Sequence, residues 1–139
     1  MKLFARGRKS LGPVEWAEAS DISKRAKKLI LSLDMDWIIF PRIFFYRSNN
    51  SKARAYARTW GLPKLWQKSL SVEPAYIIEV LAEHFDKLDV RNQDKVILHE
   101  LTHIPKNFSG ALLPHTKHRK GSFHDTLEKL YANYNSSRG

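Results

Sequence analysis

The 139-residue chain contains no cysteine. That absence excludes disulfides, zinc ribbons and thiol catalysis together. Any metal would have to be held by imidazole nitrogen and carboxylate oxygen. A cysteine-free chain suits a reducing compartment without fixing it; a cytoplasmic setting is the default expectation from the lack of a signal-peptide pattern and of a membrane span. No stretch approaches the ~18 consecutive apolar residues of a membrane span, and no membrane partner is expected. The segment Met1–Gly12 is basic but lacks the apolar run of a signal peptide. No internal repeat and no low-complexity segment is visible.

What is present is 42% hydrophobic and 12% aromatic, enough for a packed core. The length is that of one ordinary domain, expected over 13–139 behind a basic arm over 1–12. Twenty-four Lys and Arg against fourteen Asp and Glu leave a formal charge of +10. Such a balance admits nucleic acid, an anionic surface or an acidic substrate, and equally a plain solvated surface. In a nucleic-acid-binding module, Arg54, Arg58, Trp60 and Trp66 would form a stacking platform. The commoner role of such residues is core aromatics with solvated arginines beside them.

The patterning predicts an α+β chain: a helix, three strands, then two helices. Pro13 with Glu15 and Glu18 reads as a helix start. Ile22, Ala26, Leu29, Ile30 and Leu33 continue that helix at helical spacing. Trp37–Tyr46 reads as a strand that Pro41 pushes toward an edge, an end or a bulge. Ala53–Trp60 is the second strand, Pro63–Leu70 a short helix or an irregular excursion, and Ala75–Leu81 the third strand. Ala82–Asp89 connects to a helix over Val90–Ile104, and a last helix runs from about Ser122 to Tyr134. His84, in the connection, reads as a surface or core residue.

The chemistry concentrates at His99-Glu100-Leu101-Thr102-His103, an H-E-x-x-H motif. Residues four apart lie about 40° apart on a helix, so His99 and His103 share a face one turn apart. Ile97, Leu101 and Ile104 fall roughly opposite, giving the helix an apolar side and a histidine side. Glu100, beside the pair, can reach a water on the metal without being a ligand. Catalytic zinc usually takes three protein ligands and leaves one position for water. Pro105 ends the helix and Ser109-Gly110 allows a reversal. His115, His118, His124, Asp125 and Glu128 are then the available third ligands.

The stretches VILHELTHIPKNFSGALLPH, ARTWGLPKLWQ and AYIIEVLAEHFDKL resemble a family of phage and archaeal metallopeptidases of the zincin class. The resemblance covers about Ala53–His115, and the layout is more distantly similar to SprT-like proteases. It implies a minimal zincin-like domain with an N-terminal helix, a small three-stranded sheet, a zinc-binding helix and a C-terminal helix. The implied activity is zinc-dependent hydrolysis of a peptide or protein substrate, with Glu100 as general base. His99 and His103 match the first two ligands. Lys106 and Ser109 stand where a metzincin has Gly and His, so that subgroup is excluded. The resemblance favours His115 as third ligand, then His118, then His124. It also implies an edge strand that pairs with substrate, expected at Ala75, Tyr76, Ile77, Ile78 and Glu79. Such a mechanism also needs one oxyanion donor, for which Tyr131, Tyr134, His118 or His124 is the candidate. The competing expectation is a basic nucleic-acid-binding module with a structural or non-catalytic metal site.

Overall fold

The computed structural model describes residues 12–114 and 123–138. The class is α+β, with a four-stranded mixed sheet in the order β1-β2-β4-β3. Along the chain the elements are β1 (Glu15–Glu18), α1 (Ser20–Ser32), β2 (Ile43–Asn49), β3 (Ala57–Gly61) and α2 (Lys64–Leu70). They continue with β4 (Tyr76–Leu81), α3 (Ala82–Phe85), α4 (Val90–Leu101) and α5 (Phe123–Arg138). No helix among the described residues is long and apolar enough to cross a membrane.

The first helix starts later than its sequence suggests. Glu15–Glu18 is a strand, antiparallel to β2 with Glu15 opposite Asn49 and Glu18 opposite Tyr46. Pro13 and the two glutamates imitate a helical first turn, but pairing along β2 satisfies the backbone instead. All four residues of β1 are exposed, so they carry no alternation to read. From Ser20 the helical pattern holds, and Ile22, Ala26, Leu29 and Ile30 are buried. Pro41 lies in a 3-10 turn, Phe40–Arg42, before β2 begins. That placement leaves β2 free to pair on both sides.

β4 is an interior strand. It runs parallel to β2, with Phe44 opposite Ile77, and antiparallel to β3, with Trp60 opposite Ile77. The expectation of an edge strand at Ala75–Glu79 is therefore corrected: both flanks of Tyr76–Leu81 are occupied. Its nearly unbroken apolar run fits a central strand, with five of its six residues buried.

The helices cover one face of the sheet. Ile22, Leu29, Ile78, Val80, Ile97, Leu98 and Leu101 are fully buried between them. Each such side chain contributes about 1.5–3 kcal/mol by leaving water. Arg25 on α1 fixes α4 in place: its guanidinium meets Asp94 at 2.7 Å and Gln93 at 2.8 Å. The other face leaves Trp16, Phe44 and Trp60 partly exposed around a buried Glu79. Glu79 accepts from Arg58 Nε at 2.9 Å and Trp60 Nε1 at 2.8 Å, with Trp16 Nε1 at 3.3 Å.

Candidate metal centre

α4 is a well-specified helix. Asp89 caps its start by accepting from Asn92 N–H at 2.9 Å. Ile97, Leu98 and Leu101 bury its apolar side, which turns His99 and His103 toward a cleft. The α-helix stops at Leu101, and the chain tightens as His103 N–H donates to Glu100 O and Ile104 N–H to Leu101 O, both at 3.1 Å. His103 therefore stands in a closing turn, still one turn below His99.

The two imidazole rings are 5.0 Å apart between centroids. Ligand atoms of His99, Glu100 and His103 all lie within 4.8 Å of one another. His103 and Glu100 are buried and His99 half-buried. His103 Nδ1 lies 2.6 Å from the Leu113 carbonyl. A carbonyl only accepts, so Nδ1 carries the proton and Nε2 the lone pair that a metal requires. Leu113 N–H donates back to His103 O at 2.7 Å. An imidazole oriented through its second nitrogen is the usual setting of a metal-ligating histidine.

Glu100 is held from the sheet. Thr59 on β3 donates its hydroxyl to Glu100 Oε1 at 2.8 Å. Burial pushes the Glu100 carboxyl above the usual carboxylate range, while the Thr59 bond and the nearby His103 pull it partly back. The three motif residues line a cleft of about 1000 Å³ with Tyr56, Lys95 and Leu113. Glu128 on α5 also lines it, paired with Lys95 Nζ at 2.7 Å. Lys95 stands one turn before His99 on the same side of α4.

Of the expected site residues, the fold brings His99, Glu100 and His103 together. His115 and His118 lie outside the described residues, as do the side chains of His124 and Asp125. Ala75, Tyr76, Ile77, Ile78 and Glu79 do not form an edge. The strand that closes the sheet beside the cleft is β3, and Ala57, Arg58 and Thr59 line the cleft. Tyr131 and Tyr134 are buried in the core. Arg58 stacks on Trp60 at 5.1 Å, as a platform would require, but its guanidinium is engaged by Glu79. Thr59 and the Leu113 carbonyl escape sequence reasoning, because neither belongs to a local motif and both meet α4 only through the fold.

Two histidines and a buried glutamate at one helix end, facing a cleft, form a donor set that could hold a metal ion. The family described as "Putative phage metallopeptidase" matches the chain over residues 14–131. That span runs from β1 into α5, and the chain belongs to this metallopeptidase family. No curated protein and no solved structure matches it. Membership implies a metal, and the clustered imidazole and carboxylate donors fit one.

Proposed function

We propose that the protein is a zinc-dependent peptidase that hydrolyses peptide bonds, with His99 and His103 as ligands and Glu100 as general base. The observation that carries this reading is the placement of Glu100: buried, anchored by Thr59, and beside two imidazoles in an open cleft. Zinc bound there would polarise the scissile carbonyl and bring a water's pKa toward ~7. Glu100, with Oε1 held by Thr59, takes the proton of the attacking water at Oε2 and passes it to the leaving amine. A carboxyl raised by burial is better matched to that exchange near neutral pH than an ordinary one. His103 keeps its ligating tautomer through Leu113.

His115 is the proposed third ligand, with His118 and His124 as the alternatives. Support comes from Leu113, which is bonded to His103 through both its N–H and its carbonyl. Two further residues extend the chain by at most ~7 Å. An extended peptide substrate would pair with β3, Ala57–Gly61, in place of the interior strand β4.

The test is Glu100→Gln in the zinc-loaded protein, assayed on a quenched fluorescent peptide library. Hydrolysis is expected to fall by about 10²–10⁴ with zinc stoichiometry retained. Wild-type turnover in the variant, or no cleavage by the zinc-loaded wild type, would contradict the reading.

A further inference from the structure

The chain that follows α4 is tied to the sheet at several points before it returns to His103. Phe108 is buried and its ring meets Tyr76 edge-on, with centroids 4.9 Å apart. Tyr76, on the helix-covered face of β4, is 1% exposed. Its hydroxyl accepts from Gly110 N–H at 2.8 Å and donates to Ala111 O at 2.8 Å. One side chain thus grips both sides of the Gly110–Ala111 linkage. Burial pushes the Tyr76 phenol up, against a smaller downward pull from the Gly110 N–H. The hydroxyl therefore keeps the proton it donates.

Gln67 and Gly61 hold this segment closely. Gln67 Nε2 donates to Leu62 O at 2.8 Å and to Ser109 O at 2.9 Å. Gly110 has φ +97, a conformation that favours glycine. Gly61 at the end of β3 lies so close that a Cβ there would collide with the Gly110 carbonyl. Two residues after Ala111, Leu113 makes its paired bonds with His103. The path from Tyr76 to the imidazole is therefore short and made of direct contacts.

We propose that Tyr76 is a positioning residue of the metal centre. Its hydroxyl clamps the Gly110–Ala111 linkage, which fixes the Leu113 carbonyl on His103 Nδ1. That contact holds the imidazole in the Nδ1–H tautomer and leaves Nε2 as the ligating nitrogen. The consequence for metal affinity rests on the peptidase reading, whereas the tautomer itself does not. The same sheet strand that was expected to receive substrate instead serves the site from below, through a phenol.

The experiment compares the full-length wild type with Tyr76→Phe. Long-range proton–nitrogen spectra of the metal-free proteins, recorded at alkaline pH, read the tautomer. Zinc affinity is then read by competition with a chelator. The wild type is expected to show His103 as Nδ1–H alone. Tyr76→Phe is expected to show a mixture with Nε2–H and a zinc affinity about 10–100-fold weaker. A variant that is less stable to urea, but keeps the Nδ1–H tautomer and wild-type zinc affinity, would overturn the proposal by showing a purely structural role. Gly61→Ala displaces the same segment with the phenol intact, and it should release the same tautomer. If Tyr76→Phe does not fold, this second variant decides, and an unchanged tautomer in it overturns the clamp. Failure of the wild type to take up zinc would defeat the peptidase reading alone, since the tautomer comparison still decides the clamp.

Discussion

Glu79 and Glu100 are both carboxylates withdrawn from solvent, 1% and 7% exposed, the first on the outer face of the sheet and the second on α4 behind the other face. Their surroundings differ. Burial alone would raise both. At Glu79 the bonds from Arg58 and Trp60, with the Arg58 charge, outweigh burial and hold the carboxyl below its usual range. At Glu100 the Thr59 hydroxyl and the nearby His103 fall short, and the carboxyl stays above it. More donors and a nearby charge at Glu79, and deeper burial at Glu100, move the two carboxyls in opposite directions. The outer face uses its carboxylate to gather Trp16, Arg58 and Trp60, while the cleft holds its own beside two imidazoles.

The largest way to sharpen this contrast is a pair of isosteric amides. Glu100→Gln should lower kcat by about 10²–10⁴, the usual range for a lost general base. Glu79→Gln should leave kcat within roughly two-fold, because it replaces no group that meets substrate. Equal losses in both variants would erase the division between the two faces.

Stability should respond in the opposite order. Glu79→Gln weakens charge-assisted bonds at a buried position and is expected to cost about 2 kcal/mol by urea denaturation. Glu100→Gln removes a charge that burial disfavours, so the metal-free variant should be as stable as wild type or more so at neutral pH. A destabilisation by Glu100→Gln matching that of Glu79→Gln would break the comparison.

The pH dependence follows from the same signs. Glu79 has a folded-state pKa below its unfolded value of about 4.5. Its stabilisation is complete above that unfolded value and is lost as pH falls through the folded one. Between about pH 5 and 3, the wild type should lose stability more steeply than Glu79→Gln. Parallel curves would show that Arg58 and the indoles do not hold the charge.

The smallest expected effect belongs to Thr59→Val. It removes the hydroxyl that lowers the Glu100 pKa and fixes Oε1. The expected result is a fall in kcat/KM of up to about ten-fold, with the acid limb of the pH–rate profile moved upward. An acid limb that stays in place would remove Thr59 from the control of Glu100.

The legible parts of this protein are those with a local signature. His99, Glu100 and His103 announce themselves because helical spacing alone brings two imidazoles to one side of α4. Ile22, Ala26, Leu29 and Ile30 mark α1 in the same way. β1 was not legible: Glu15–Glu18 has no buried side chain, and its pairing with β2 is decided across the fold. Strand order was hidden too, since β4 inserts between β2 and β3 although it follows both in sequence. The near-continuous apolar run Tyr76–Leu81 was the available sign that this strand is interior. Thr59, Leu113 and Tyr76 act on the site by a hydroxyl, a backbone carbonyl and a phenol from separated segments. No spacing rule connects Tyr76 to Gly110, because the contact exists only after β4 and the chain beyond Pro105 have come together.

An equilibrium zinc titration of the wild type, His99→Ala and His103→Ala tests the metal centre most directly. The wild type should saturate at one zinc per chain. Each alanine variant should bind at least ~100-fold more weakly, beyond the range expected for loss of an outer partner. A wild type that takes up no zinc, or alanine variants that bind it as tightly as the wild type, would contradict the assignment of His99 and His103 as ligands.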